Sequence, residues 1–288
     1  MDYYERIDRA IDFIERRLTE PLSLGDVARC ACFSLFHFHR VFQAIIGCSV
    51  KEYIRRRRLH IASHELGATN ARILDIALKY QYETHESFTR AFKRQYGMTP
   101  KRYRTSLTEV APFDRADVHA IKLRHMMGDK KMEPKIVNRD AFKVIGVELR
   151  TTICNGENVQ AIPEFWDQFA QDGADRRIPN RVNHNALLGV CGDSDEDGSF
   201  SYIICAEVSS FDEAPDGMVA RTVPAAKYAV FTSKGKVPDS VQDMGRYIFG
   251  TWLPKSGYEH ADTEDFEVYD ERFTGLEDSE VDIYIPIK

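Results

Sequence analysis

The spacing of apolar residues changes character once along the chain. Ile7, Ile11, Ile14 and Leu18 recur every three to four positions, with Glu5, Arg6, Asp12 and Arg16 elsewhere on the cylinder. That pattern predicts an amphipathic helix, ended by Pro21. From Leu24 to Arg104 the texture stays helical and repeats itself. Leu24-Gly-Asp-Val-Ala28 matches Ile73-Leu-Asp-Ile-Ala77 at an offset of 49. One extra residue then shifts the offset to 50, at which Phe38/Phe88, Arg40/Arg90, Phe42/Phe92, Gly47/Gly97, Lys51/Lys101 and Tyr53/Tyr103 coincide.

Each copy reads as a short helix, a tight turn and a second helix. Val27 with Ala28, and Ile76 with Ala77, give the first helix a small apolar face; Phe38, Val41, Phe42 and Ile45, or Phe88, Ala91 and Phe92, form the stripe of the second. Ser34 and Thr84 suit the N-caps of those second helices. Residues 50–66 form a joining helix that carries Arg55-Arg-Arg-Arg58. This is the helix-turn-helix pattern, whose second helix enters the major groove of DNA.

Residues 107–132 have little period and read as a linker with room for a short ordered part. After it, Lys143–Arg150, Ala186–Cys191, Tyr202–Val208, Lys227–Ser233, Phe266–Tyr269 and Val281–Ile287 are β-rich runs bounded by turn residues. Helices with Ile162, Phe165, Trp166 and Phe169, and with Val241, Met244, Ile248 and Trp252, interrupt them. An offset of 86 places Phe142 on Tyr228, Val144 on Val230, Ile162 on Ile248 and Trp166 on Trp252. The expected fold is therefore an all-α double helix-turn-helix domain (1–106), the linker, and an α+β domain (133–288). The latter is read as two βαββ repeats in a mostly antiparallel sheet, both helices on one face, with a cleft where the repeats meet.

Charge sharpens this division. The 288 residues carry a net −6, but residues 1–110 hold 19 Lys+Arg against 13 Asp+Glu, and residues 111–288 hold 20 against 32. A head of +6 on a body of −12 suits a nucleic-acid module joined to something else. No run of about 18 apolar residues predicts a membrane span, and the charged start lacks the apolar centre of a signal peptide. Six cysteines without a CxxC pair fit a reducing cytoplasm.

The head's motifs are specific. Gly47-Cys-Ser-Val-Lys-Glu-Tyr53, the Arg55–Arg58 run and Phe88-Thr-Arg-Ala-Phe-Lys-Arg-Gln-Tyr-Gly-Met-Thr-Pro100 resemble the AraC/XylS family of transcription regulators over roughly residues 5–106. That resemblance implies two recognition helices on one face of double-stranded DNA at an asymmetric promoter site, with RNA polymerase a possible further partner. By matching position, Phe36, His39 and Arg40 in the first unit, and His85, Glu86, Thr89 and Arg90 in the second, are the candidate DNA-reading residues. Arg40 and Arg90 can reach guanine bidentately, each histidine can donate or accept once, and Phe36 suits a thymine methyl. Glu86 could accept from cytosine N4 or serve as a cap. The alternative for both arginines is a solvated surface charge. The family commonly has glycine in the turns where Cys32 and Gln81 stand, so strain is expected there. The four-arginine run spreads around its helix and cannot all face DNA; some of it is expected to pin the units together.

The body carries a second resemblance. Lys227-Tyr-Ala-Val-Phe-Thr-Ser-Lys-Gly235, Thr251–Tyr258, Asp265-Phe-Glu-Val-Tyr-Asp270 and Ile283-Tyr-Ile-Pro-Ile-Lys288 are similar to the GyrI-like effector-binding domain. It implies a small, often cationic or aromatic, ligand around a central glutamate, here Glu267. Strand alternation puts Glu267 and Tyr269 on one face, opposite Phe266 and Val268. If the helices cover the Phe266 side, Glu267 opens into the cleft. Trp252, Tyr228, Tyr202, Phe231 and Tyr284 are the candidate aromatic walls, each with core packing as its alternative.

Other constellations carry less. Asp193-Ser-Asp195-Glu-Asp197-Gly198 imitates the start of a calcium loop, but position 12 is Ile204, so an acidic hairpin turn is expected. His60 and His64 have zinc-compatible spacing without a third ligand, and an exposed helix face is the better reading. No GxGxxG, P-loop, GxSxG or HExxH motif occurs; no cofactor, metal or catalytic residue is expected, and no membrane partner. A regulator with a small-molecule effector is the reading. The alternatives for the body are a small-molecule hydrolase using Glu267 with a tyrosine, or a protein-interaction or toxin-capturing module.

Overall fold

The computed structural model describes residues 2–106, 110–127, 132–153, 156–195, 198–211 and 214–288. The chain opens with α1 (Tyr3–Glu15), whose N-terminus is closed by a capping box between Asp2 and Glu5. Its Ile7, Ile11 and Ile14 are fully buried. The first helix-turn-helix unit is α2 (Leu24–Cys30) and α3 (Leu35–Ile46); α4 (Val50–Ala68) joins it to the second, α5 (Ile73–Lys79) and α6 (His85–Tyr96), followed by α7 (Pro100–Ser106). The turns hold Cys32 and Gln81 at φ 56° and 66°, the left-handed backbone that costs a non-glycine residue about 1 kcal/mol.

The arginine run serves the head's own assembly. Arg57 pairs with Glu15 at 2.8 Å and also donates to the Phe113 carbonyl, Arg58 donates to the carbonyls of Leu18 and Glu20, and Arg56 lies over the Phe113 ring. Arg55 pairs with Glu52 on the same helix. The link between the units includes Gln81, whose amide donates to the Thr19 carbonyl at 2.7 Å. His60 is buried and touches His64 at 3.2 Å, so the expected exposed pair is half buried.

The expected linker contains α8 (Val118–Met127), which is tied to α1 by Lys122 on Asp2. The body then runs β1 (Lys135–Arg139), β2 (Phe142–Thr152), α9 (Glu157–Gln171), β3 (Leu187–Gly192), β4 (Ser199–Val208), β5 (Val219–Val223), β6 (Ala226–Lys234), α10 (Asp239–Tyr247), a π-helical turn at Ile248–Trp252, α11 (Leu253–Ser256), β7 (Asp265–Tyr269) and β8 (Glu280–Ile287). Eight antiparallel strands lie in the order β1-β6-β8-β7-β3-β4-β2-β5. The two βαββ repeats, β2-α9-β3-β4 and β6-α10-β7-β8, meet where β7 pairs β3. Each repeat is preceded by a strand that pairs with the other one: β1 lies on β6, and β5 on β2.

Both helices lie on one face of the sheet, and it is the face of Glu267 rather than that of Phe266. Under α9 lie Phe200, Tyr202 and Ile204; under α10 and the π turn lie Ala229, Phe231, Ile283 and Ile285. This second cluster also contains the apolar residues of α1, α2 and α3, so head and body share one core. The opposite face curls on itself. Phe142 of β2 touches Phe266 of β7 three strands away at 5.4 Å between ring centres, and Arg139 of β1 pairs with Glu207 of β4. The acidic turn between β3 and β4 is held by arginine: Asp195 pairs with Arg150 and Asp193 with Arg221. Asp197 lies outside the described residues. Among the described residues no cluster fit for a metal ion occurs, and no helix is long and apolar enough to cross a membrane.

Candidate effector chamber and nucleic-acid face

Between the two helix-covered clusters lies a chamber of about 640 Å³. Its floor is the junction of the repeats. Glu267 on β7 is paired with Gly189 on β3, and the two share a face. The absent side chain of Gly189 makes the site: a Cβ there would stand 2.1 Å from the Tyr202 hydroxyl and 3.0 Å from Glu267 Oε2. Tyr202 and Tyr269 each donate to Glu267 Oε2, at 2.9 and 2.8 Å, and Trp166 of α9 donates to the Tyr202 hydroxyl at 3.0 Å. Among the described residues no protein group donates to Oε1.

Burial pushes the Glu267 carboxyl above its ordinary range, against the opposing pull of the two phenols and Arg40. Burial, and then the Glu267 charge, pushes both phenols well up, so they remain protonated donors. The chamber thus presents one poorly solvated carboxylate among aromatic walls. Trp166 and Tyr269 stand 4.5 Å apart between ring centres, and Phe36, Phe200 and Phe249 close other sides. Such walls favour an aromatic guest, and a cation near a desolvated carboxylate is attracted more strongly than in water.

Of the expected ligand residues, Glu267 and Tyr202 line this chamber. Tyr228 and Tyr284 stand on the opposite face, packed on Phe266, because Tyr284 is the cross-strand partner of Phe266 and not of Glu267. Phe231 and Trp252 pack on each other at 4.9 Å in the core under α10. Trp166 and Tyr269 take the places expected of them. The periodicity had put Trp166 on the apolar face of α9, and alternation had put Tyr269 beside Glu267; what was missing was which helix faces which strand.

The expected DNA-reading residues divide between two environments. His85, Glu86, Thr89 and Arg90, with Lys93 and Arg94, lie together on one open face of α6. His85, Glu86 and Arg90 are exposed, and a Thr84–Ser87 capping box fixes the helix start. On α3, Phe36 and Arg40 meet the body and His39 is buried. Phe36 rests on Phe200 with ring centres 5.0 Å apart, and Arg40 Nη1 donates to both Asp265 oxygens at 2.8 and 2.7 Å. His39 is 3% exposed, and burial followed by the Lys51 charge pushes its pKa down to about 4. In this arrangement none of the three is open to a DNA groove. Ser34 occupies the N-cap position of α3, but its hydroxyl donates to Asp262 instead of capping.

Comparison with known proteins matches two stretches of the chain. Residues 135–287 match the family described as integron-associated effector binding protein, and residues 27–106 match a helix-turn-helix domain. The chain is 32% identical over 282 residues to the uncharacterized HTH-type transcriptional regulator YbfP of Bacillus subtilis, covering 93% of this chain and 90% of that one. It is 30% identical over 279 residues to the right origin-binding protein of Escherichia coli, covering 93% and 91%. Among solved structures, SAV2435 bound to tetraphenylphosphonium is 23% identical with a TM-score of 0.48, covering 55% of this chain and 94% of that one. YbfP is named as a regulator of transcription, as is the transcriptional regulator Rob of Salmonella typhimurium, 29% identical over 279 residues and covering 93% of this chain and 91% of that one. A double helix-turn-helix head on a duplicated, glutamate-centred sheet domain places this chain in the family of AraC-type, DNA-binding transcription regulators with a GyrI-like effector-binding domain.

Proposed function

We propose that the chamber takes a small aromatic cation, with Glu267 as its counter-charge, and that the exposed face of α6 reads duplex DNA. The observation that carries the first part is the buried carboxylate with two phenols on one oxygen and aromatic rings around it. Arg90, Lys93 and Arg94 on one open face support the second, since phosphate attraction supplies most non-specific affinity and a bidentate arginine reads guanine. Two unlike recognition helices in one chain suit an asymmetric promoter site.

Titration of the full chain with tetraphenylphosphonium, and with uncharged triphenylphosphine oxide of similar bulk, tests the chamber. The cation is expected to bind more tightly, and Glu267→Gln to weaken it about tenfold or more, roughly 1.4 kcal/mol, with little effect on the neutral compound. Because burial raises the Glu267 pKa, cation affinity should decline on acidification from above the ordinary carboxylate range, as the charge is lost. Unchanged cation affinity in Glu267→Gln would remove Glu267 from this role.

A further inference from the structure

The internal repeat gives the two recognition helices a common frame. At the offset of 50, Glu86, Thr89, Arg90, Lys93 and Arg94 of α6 correspond to Phe36, His39, Arg40, Gln43 and Ala44 of α3. The α6 set lies on an open face of its helix. Of the α3 set, Phe36, Arg40, Gln43 and Ala44 line the chamber that holds Glu267. The face α6 offers to solvent is therefore the face that α3 has seated on the body.

The seat is closely fitted. Arg40 has its side chain only 22% exposed, is paired with the buried Asp265, and lies 4.1 Å above the Phe249 ring. The π turn approaches α3 so closely that a Cβ on Gly250 would stand 2.8 Å from the Ala44 carbonyl oxygen. His37, fully buried, packs against His260 of the body with ring centres 4.6 Å apart. A recognition helix must lie in a major groove about 12 Å wide to reach base edges. With a sheet domain on its reading face it cannot.

We propose that effector and DNA compete for this one face of α3, which walls the chamber when docked and reads bases when released, so that an occupied chamber holds the first unit off DNA. This rests on reading the chamber as the effector site. A ligand touching both walls binds the docked state better, DNA selects the released state, and linkage makes the opposition reciprocal. Arg40 then has two alternative partners, Asp265 in the docked state and a base or phosphate in the released one.

The test uses the full chain, tetraphenylphosphonium, and a duplex selected by this chain from a random library. The expected result is that saturating duplex weakens the cation's affinity and saturating cation weakens the duplex by the same factor, roughly fivefold or more. Asp265→Asn, which removes the Arg40 counter-charge while keeping shape, should tighten the duplex several-fold and weaken the cation. Asp262→Gly, which removes the Ser34 contact together with those to His260 and Lys288 at a more exposed site, should shift both the same way by less, and thermal melts of both variants check that they fold. Cation and duplex binding together without mutual effect, or the cation strengthening the duplex, overturns the proposal. No cation binding at all would defeat the chamber reading instead; the duplex affinity of the two variants then still reports occlusion, and no gain in either overturns it.

Discussion

Glu267 owes its setting to a residue that contributes no side chain. Gly189 lies across from it on β3, and any Cβ there collides with the Tyr202 hydroxyl. Gly189→Ala is therefore expected to displace Tyr202, breaking its hydrogen bonds to Glu267 and Trp166. It should weaken tetraphenylphosphonium about tenfold at a stability cost of about 1–3 kcal/mol, the usual range for overpacking. Parallel ligand titration and denaturant melts check this; full affinity in a folded variant would mean that the phenol is dispensable. At this scale the sequence was half legible. Alternation alone put Glu267 and Tyr269 together, and the matching turn positions foresaw the left-handed backbone of Cys32 and Gln81. Tyr228 and Tyr284 were misplaced because the register that pairs Tyr284 with Phe266 is a long-range fact, absent from local pattern.

The helices of the two helix-turn-helix units follow from apolar spacing, since each must bury one stripe, and a stripe is visible in sequence; α1, expected to run to Pro21, ends at Glu15, and α7 was not foreseen. Edge strands have no such signature. β1 and β5 are five residues each with partly exposed patterns, and neither was foreseen. The linker left room for a short ordered part, but its residues bear little amphipathic order to mark α8, which rests on α1 through polar contacts as well as Val118. The recognition helices, alike in sequence frame, differ in surroundings: α6 faces solvent and α3 faces the body. Arg90→Ala on α6 is thus expected to weaken a selected duplex by about 1–3 kcal/mol, relaxing specificity if Arg90 reads a base. If it only meets phosphate, the salt slope should drop by about 1 and the loss should be uniform across sequences. Electrophoretic titrations at several salt concentrations decide; an unchanged affinity and slope would leave Arg90 as a solvated charge.

The whole molecule is less divided than its charge suggests. The +6 of the head and −12 of the body are real, but α1–α3 share a core with β6, β8 and the π turn. Composition records the two origins of the chain, not the surface along which they were joined. α3, which lies at that joint, carries buried, uncharged imidazole. Burial holds His37 well below its ordinary pKa and His39 at about 4. The unfolded chain binds these protons near 6.5, the folded one only at lower pH, so stability is intact above 6.5 and falls as pH drops toward 4. For His39 this amounts to about 2 kcal/mol between pH 6.5 and 5, at roughly 1.4 kcal/mol per pH unit. Urea melts at pH 7 and pH 5 should show that loss, and His39→Gln should lessen it by about that amount. An equal acid loss in the variant would clear His39 of responsibility.

The exchange of β1 and β5 has a further consequence. Duplicated domains usually keep a memory of the single copy, which could in principle be pared back out. Here each copy has lent its leading strand to the edge of the other, β1 to β6 and β5 to β2. Separating the copies would strip a border strand from both and also part β3 from β7, baring both edges of each half, an invitation to aggregate. Either half made by itself is therefore expected to aggregate, while the whole sheet stays closed at its junction.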